Sequence, residues 1–270
     1  MTISGNGPIG IFDSGVGGLT VASAVKQVLP DETIIYFGDT AHLPYGDKSP
    51  EAILHYSKKI TDFLLEHNCR VILAACNTVS ATVWKELERY IGERAVAVNV
   101  IDPIVNRVVR SMSSSSLGVI GTKNTINSGA YPEKIKKVLP GLRVSSLATP
   151  LLVPMIEEGF IYDDISNAII RAYLSDTRLE GIDTLILGCT HYPIIKNQIR
   201  KFYDFRVDVI DSAMTVAEEL RELLEPGGRC DGRGGRGDRF FVSDYTEYFR
   251  KIAGMFFENE ISLEKQDLWK

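Results

Sequence analysis

The sequence predicts an α/β protein made of two pseudo-symmetric α/β domains, each with a mainly parallel sheet flanked by helices. Short apolar runs alternate with amphipathic stretches along nearly all of the 270 residues, as expected for strands joined by helices. Most apolar runs are continuous, which is typical of strands covered on both faces. Segments starting at residues 9 and 117, and those around residues 76 and 189, resemble each other at similar spacing, which indicates an internal duplication.

The elements follow from these patterns in chain order. The apolar runs predict strands at residues 9–12, 33–37, 71–75, 95–98, 117–120, 144–147, 184–187, 207–210 and 240–242. Helical periodicity predicts helices at residues 19–29, 50–66, 79–90, 133–138, 166–174 and 213–224. Ligands of parallel sheets bind at the carboxyl ends of the strands. Motifs at those ends are therefore the candidates for function.

Charge and hydropathy exclude several classes of function. The net charge of −5 and the lack of a basic stripe with interleaved aromatic residues argue against nucleic-acid binding. No apolar run is long enough to cross a bilayer, and the first residues do not resemble a signal peptide. We therefore expect a cytoplasmic protein without membrane contact. The Gly/Arg-rich residues 227–239 are predicted to form a flexible connection.

The four cysteines, Cys69, Cys76, Cys189 and Cys230, are predicted to be free thiols. No two of them form a C-x-x-C motif, and the four histidines do not supply zinc-ligand spacing. We therefore predict no metal site. Cys69 lies between a helix and a strand and is interpreted as a packing residue, and Cys230 as an exposed thiol in the flexible connection.

Two cysteines share one local plan. Residues 71–78 read Val-Ile-Leu-Ala-Ala-Cys-Asn-Thr, and residues 184–191 read Thr-Leu-Ile-Leu-Gly-Cys-Thr-His. Each places its cysteine, Cys76 or Cys189, at the end of a buried strand and before a helix, where backbone N–H groups favour a thiolate.

Two such thiols facing one cavity suit the inversion of a stereocentre. This reaction needs a base on one face of a carbon and an acid on the other, with the roles exchanged in the reverse direction. A redox disulfide is the competing interpretation of the pair.

The loop from Asp13 to Thr20 follows the first strand and opens a helix, and its N–H groups suit a carboxylate or phosphate. It is a poor dinucleotide-binding motif, because the sixth position counted from Gly15 is Thr20 rather than Gly or Ala. Asp13 is a candidate for binding an amino group or polarising a base, with helix capping as the alternative. The hydroxyls of residues 121–125, Gly-Thr-Lys-Asn-Thr, suit a carboxylate, again with capping as the alternative.

Taken together, the segments DSGVGGLTV, LPYG, ACNT, GTKNTINSGAY, LVPMIEEG and GCTHYP resemble those of the glutamate racemase family, within the aspartate/glutamate racemase superfamily. The resemblance runs from residue 7 to about residue 257. It implies a cofactor-independent isomerase that interconverts L- and D-glutamate for peptidoglycan synthesis. It also implies a first domain of residues 1–98 with 209–270 and a second of residues 99–208, with the active site in the cleft between them. A homodimer is the expected assembly.

The resemblance also implies the roles of individual residues. Cys189 would act on L-glutamate and Cys76 on D-glutamate, with Asp13 assisting Cys76 and His191 assisting Cys189. Glu157 would lie near the ammonium group or beside His191. The substrate contacts implied are Asp13, Ser14, Tyr45, Gly46, Asn77, Thr78, Thr122, Thr125, Thr190 and His191.

Two other functions compete with this one. An aspartate racemase or related cysteine-dependent isomerase would share the cysteine motifs, and the remaining motifs weigh against it. A non-catalytic amino-acid-binding protein would share the two-domain plan, but the matched cysteines and the lack of an export signal argue against it.

Overall fold

The computed structural model describes residues 7–111, 115–224, 237–245, 249–250, 253–254, 257 and 261–270. Its strands are β1 (Ile9–Asp13), β2 (Ile34–Gly38), β3 (Val71–Ala74), β4 (Val96–Asn99), β5 (Ser116–Gly121), β6 (Arg143–Ala148), β7 (Thr184–Gly188), β8 (Asp208–Asp211), β9 (Arg239–Val242) and β10 (Leu263–Lys265). Its helices are α1 (Leu19–Val28), α2 (Pro50–Glu66), α3 (Asn77–Thr82), α4 (Trp84–Ile91), α5 (Ile101–Ser111), α6 (Lys123–Asn127), α7 (Ala130–Val138), α8 (Leu152–Glu157), α9 (Asp164–Leu174), α10 (Lys196–Phe202) and α11 (Ser212–Leu224).

The strands form two sheets. One has six strands in the order β10-β9-β2-β1-β3-β4, and the other has four in the order β6-β5-β7-β8. Every strand pairing between described residues is parallel. The predicted class of mainly parallel sheets flanked by helices is confirmed.

Helices cover both faces of each sheet because the strand residues are apolar on both sides. In β1, Ile11 packs with α1 and α11 on one face, and the next residue, Phe12, packs with α2 and α4 on the other. In the four-stranded sheet, Leu185 faces the side of α8, α9 and α10, and Ile186 faces that of α5 and α7. Burial on both faces explains the continuous apolar runs of the sequence.

The division of the chain into residues 1–98 with 209–270 and residues 99–208 stays a prediction. β8 pairs with β7 in the four-stranded sheet, so the proposed boundary between residues 208 and 209 falls inside a strand of that sheet. β9 and β10 return to the six-stranded sheet, and α11 packs against both α1 and α5. α11 is therefore in contact with helices from both parts of the chain.

Two features of the sequence lie wholly or largely outside the described residues. Cys230 is one of them, and residues 227–236 of the Gly/Arg-rich stretch are the other, so the predictions made for them stay untested. None of the helices described here is both long and apolar enough to cross a membrane.

Candidate active site

The central strands of both sheets end at one cleft. β1 ends at Asp13, Cys76 follows β3 by two residues, and Cys189 comes directly after β7. Because parallel strands present their carboxyl ends at one edge of a sheet, these residues meet there. Both thiols line a cavity of about 20 Å³. A cavity of this size holds about one water molecule.

Cys76 lies on the side of the six-stranded sheet. Its side chain is buried, and its Sγ lies 3.6 Å from the Oγ of Ser14. Burial, followed by the nearby charge of Asp13, raises the pKa of the Cys76 thiol to about 12. Without a ligand, Cys76 therefore holds its proton at neutral pH.

Asp13 is fully buried, and its carboxylate is held by the loop that opens α1. Oδ2 accepts hydrogen bonds from the N–H groups of Gly15 at 3.1 Å and Gly18 at 3.0 Å. Oδ1 accepts a longer one from the hydroxyl of Thr190 at 3.4 Å. Burial raises the pKa of Asp13, while the charge of His191 and the backbone N–H groups oppose that rise. Asp13 thus caps the loop and also faces residues that flank Cys189.

Cys189 has a different neighbour. Its Sγ lies 3.7 Å from Nδ1 of His191, and Nε2 of the same ring lies 3.0 Å from Oε1 of Glu157. Burial alone would lower the pKa of His191, but the hydrogen bonds to Cys189 and Glu157 outweigh it and raise that pKa well above its ordinary value. His191 is therefore held as a cation beside Cys189. Glu157 takes the second of its two expected positions, next to His191.

Three threonine hydroxyls gather between the two sheets. Oγ1 of Thr78 lies 3.0 Å from Oγ1 of Thr122 and 3.5 Å from Oγ1 of Thr125, and the last two lie 3.0 Å apart. Thr122 also caps α6, since its Oγ1 accepts the N–H of Thr125. Hydroxyls can donate to an anion without carrying charge themselves. The cluster therefore combines capping with a surface suited to a carboxylate.

Tyr45 and Gly46 approach this cluster from a short helical turn, Tyr45–Asp47. The Tyr45 hydroxyl donates to Asp39 at 2.7 Å, and Asp39 does not line the cavity. The proton of this phenol is thus already engaged, and Tyr45 contributes its ring and backbone to the wall. A Cβ on Gly46 would lie 2.9 Å from Cβ of Thr122, so the close approach of the turn requires glycine.

The loops of the two halves touch directly. The Thr20 hydroxyl donates to the carbonyl of Thr190 at 3.0 Å. A Cβ on Gly17 would lie 2.5 Å from Nδ1 of His191 and 2.7 Å from Oγ1 of Thr190. Only a residue without a side chain allows this contact. The first loop therefore positions the residues that follow Cys189.

The cavity brings together most of the predicted residues. Lining it are Cys76, Cys189, Ser14, Tyr45, Gly46, Asn77, Thr78, Thr122, Thr190 and His191. Asp13, Thr125 and Glu157 lie behind this wall and hydrogen-bond to residues in it. Sequence reasoning missed the apolar wall formed by Leu43, Pro44 and Val153, because apolar residues in a loop or helix carry no chemical signature.

The remaining cysteine and histidine side chains of interest lie elsewhere. Cys69 packs against β1, where a Cβ on Gly10 would lie 3.0 Å from its Sγ, and burial raises its pKa to about 12. His42 pairs with Asp39 and stacks on Tyr56. Within the described ranges, no group of three or more His, Cys, Asp or Glu side chains could hold a metal ion.

Comparisons with known proteins identify relatives of this chain. The family model for Asp/Glu/Hydantoin racemase matches residues 19–220. The chain is 41% identical to the glutamate racemase of Geobacter metallireducens over 249 residues, which is 92% of each chain. It is also 41% identical to that of Chlorobaculum tepidum over 260 residues, which is 96% of this chain and 95% of the relative.

Solved structures give the same result. The glutamate racemase of Francisella tularensis in complex with D-glutamate superposes with a TM-score of 0.85 at 38% identity, covering 98% of both chains. Isoform RacE1 from Bacillus anthracis gives 0.88 at 32% identity, covering 97% of this chain and 98% of that one. An aspartate racemase homologue from Pyrococcus horikoshii shares the fold at 19% identity with a TM-score of 0.55, covering 80% of this chain. This chain therefore belongs to the Asp/Glu/hydantoin racemase family, and within it to the glutamate racemases, as its motifs indicated.

Proposed function

We propose that this chain interconverts L- and D-glutamate without a cofactor by passing the α-proton between two thiols. The observation that carries the proposal is that Cys76 and Cys189 line one cavity from two different sheets. Inversion requires an acid and a base on opposite faces of the carbon. Two residues of the same kind can exchange those roles, so one site serves both directions.

Each thiol transfers one proton in a turnover. The Cys189 thiolate removes the α-proton of L-glutamate, and the Cys76 thiol delivers its own proton to the opposite face. D-glutamate leaves, with Cys189 now protonated and Cys76 a thiolate. The reverse reaction starts from that state. This assignment of faces follows the family resemblance, and the cation at His191 beside Cys189 supports it, because a positive charge stabilises a neighbouring thiolate.

The two carboxylates of the substrate need donors that stay neutral. The hydroxyls of Thr78 and Thr122 and the amide of Asn77 line the cavity, and the loop after β1 adds backbone N–H groups. No arginine lines the cavity among the described residues. Binding without a fixed positive charge at the carboxylates leaves the His191 cation as the main positive group beside the thiols.

We also propose a cellular role and an assembly for this enzyme. The resemblance to glutamate racemases supports a cytoplasmic enzyme that supplies D-glutamate for peptidoglycan, and a homodimer as its assembly. Light scattering of the purified chain would measure its mass against the 29.9 kDa of one copy. A mass of one copy at assay concentration would remove the dimer from the proposal.

The test of the reaction is isotope exchange. The purified chain is incubated with L-glutamate in D2O without added cofactor. The two enantiomers are separated by chiral chromatography at early times, and their deuterium content is measured by mass spectrometry. With two thiols, the first D-glutamate formed carries one deuteron at the α-carbon, while the remaining L-glutamate keeps its proton. Deuterium entering both enantiomers at equal early rates would contradict the two-thiol route.

Substrate and control variants complete the experiment. A parallel incubation with aspartate distinguishes the aspartate racemase alternative, since exchange of aspartate alone would overturn the choice of glutamate. Exchange of neither amino acid by folded, reduced protein would favour the binding-protein alternative. Cys69→Ser is the matched control, because this thiol is equally buried but does not line the cavity, and we expect it to keep full activity.

A further inference from the structure

Asn77 carries an unused hydrogen-bond donor at the cavity. The residue directly follows Cys76, its side chain is only 2% exposed, and it lines the cavity. Its Oδ1 accepts a hydrogen bond from the hydroxyl of Tyr131 at 2.7 Å, whereas its Nδ2 has no partner within the described part of the chain. A buried amide N–H without a partner is costly. A ligand that accepts a hydrogen bond would remove that cost.

Tyr131 determines which end of the amide is left free. Burial, with the charge of Cys189 as the next cause, raises the pKa of the Tyr131 phenol above its ordinary value. The phenol therefore keeps its proton and needs an acceptor, which Oδ1 of Asn77 supplies. If the amide turned over, the phenol proton would lose that acceptor, and a carbonyl oxygen would replace the amide donor in a pocket for anions.

The ring of Tyr131 is fixed within the half of the molecule that carries Cys189. Tyr131 lies in the first turn of α7, is 1% exposed and packs in the core with Val119 and Ile186. A Cβ on Gly188 would lie 3.3 Å from its Cε2, so the ring covers the residue before Cys189. From there its hydroxyl reaches the residue after Cys76. One side chain thus connects the two strand ends that carry the thiols.

We infer that Tyr131 is a positioning residue: its hydroxyl orients the Asn77 amide so that Nδ2 donates to a carboxylate of the bound amino acid. This inference rests on the proposed function for the identity of the ligand. The carboxylate is already charged in the bound substrate, so the contact forms before proton transfer. Its loss should raise KM and leave kcat nearly unchanged.

The experiment uses Tyr131→Phe, which keeps the ring and removes the hydroxyl. We expect KM for glutamate to rise on the order of tenfold in both directions, with kcat within about threefold of wild type. Asn77→Ala and the double variant complete a cycle. If Tyr131 acts through Asn77, removing its hydroxyl from Asn77→Ala has no further effect on KM. Additive effects on KM would overturn the inference.

Tyr192→Phe is the matched control for lost stability. Tyr192 is also fully buried in the same half, and its hydroxyl lies 2.6 Å from Oγ1 of Thr149, but it does not line the cavity. We expect it to lower the unfolding temperature without changing KM. If Tyr131→Phe is unstable, KM is measured at a temperature where circular dichroism shows both variants folded.

The outcomes separate the inference from the proposed function. Wild-type protein that does not exchange the α-proton of glutamate would contradict the function itself. Active wild type with an unchanged KM in Tyr131→Phe would contradict only the positioning role. A rise in KM for Tyr131→Phe but not for Tyr192→Phe, absent in the Asn77→Ala background, is the result we expect.

Discussion

The two strand ends that carry the thiols are alike in plan and opposite in charge. Cys76 and Cys189 each follow a fully buried strand and precede a helical turn. Near Cys76 stands the carboxylate of Asp13, which contributes to a raised thiol pKa. Beside Cys189 stands His191, whose pKa is raised well above its ordinary value. The two similar strand ends therefore have different ionisable partners.

This difference does not conflict with a symmetric reaction. L- and D-glutamate have equal free energies, so kcat/KM must be the same in both directions whatever the residues are. Unequal partners change which protonation state is favoured in the free enzyme. A raised pKa at Cys76 favours its thiol form, and the cation at His191 stands beside Cys189. The free enzyme is thus prepared for L-glutamate in the proposed assignment.

Removing either thiol should have the largest effect. We expect Cys76→Ala and Cys189→Ala each to lower kcat for racemisation by at least about 10³-fold, since each loses the acid or base for one face. Measuring the residual α-proton exchange of each enantiomer in D2O then shows which thiol acts on which face. Cys76→Ala, which keeps Cys189, should exchange only L-glutamate, and Cys189→Ala should exchange only D-glutamate.

Two results would contradict this division of the faces between Cys76 and Cys189. Exchange of the same enantiomer by both variants would mean that the faces are not divided between the thiols. Exchange on the opposite faces would reverse the assignment while leaving the two-thiol mechanism in place. Cys69→Ser again serves as the control for loss of a buried thiol.

The similarity of the two halves could be predicted from local sequence patterns, whereas their different partners, Asp13 for Cys76 and His191 for Cys189, were implied only by the family resemblance. The strands that end at Cys76 and Cys189 are continuous apolar runs followed by polar residues, and both patterns are local. The hydroxyls of Thr122 and Thr125 also follow a strand end, which is why they could be predicted to suit a carboxylate, whereas Thr78 was implied only by the family resemblance. Local pattern plus the rule for parallel strands is sufficient for such residues.

Contacts between distant segments required the structure. Tyr131 reaches Asn77 across 54 positions of sequence, and Glu157 reaches His191 across 34. Neither pairing has a local signature, so Tyr131 was not predicted as a site residue and the position of Glu157 stayed open. β10 was also missed, because its three residues, Leu-Glu-Lys, have only one apolar member. Its place depends on pairing with β9 rather than on its own pattern.

Asp13→Asn should reduce the electrostatic difference between the Cys76 site and the Cys189 site. It removes the negative charge near Cys76, so the pKa of that thiol falls from about 12, although burial keeps it above the ordinary value. The measurement is alkylation by iodoacetamide against pH in a Cys69→Ser, Cys189→Ser, Cys230→Ser background, where Cys76 is the only thiol. We expect a several-fold faster reaction at fixed pH, because the thiolate is the reacting form.

A second carboxylate serves as the control for this variant. Asp183 lies before β7, at the opposite end of that strand from Cys189, and binds the N–H groups of Ser115 and Ser116. Asp183→Asn should leave the alkylation of Cys76 unchanged. A slower alkylation in Asp13→Asn would show that Asp13 stabilises the Cys76 thiolate. The prediction that the charge of Asp13 raises the pKa of Cys76 would then be wrong.

The smallest expected effect is a change in the free energy of unfolding, caused by substituting Glu157 beside His191. His191 has a raised pKa in the folded protein, so its contribution to the free energy of unfolding is complete below its ordinary value of 6.5 and is lost as the pH rises through the raised value. Glu157→Gln weakens that contribution. We expect a loss of about 1 kcal/mol at pH 6 that shrinks toward zero at alkaline pH, measured by urea unfolding at both.

The pH dependence of this loss separates charge from packing. Glu158→Gln changes the neighbouring, exposed carboxylate and should have little effect at either pH. A loss in Glu157→Gln that is the same at both pH values would mean that Glu157 contributes shape and not charge. The cation at His191 would then not depend on Glu157, and contact with Cys189 alone would have to hold it. In that case each thiol would have a single ionisable partner, Asp13 for Cys76 and His191 for Cys189. Glu157 would then not contribute to the charge difference between the two halves.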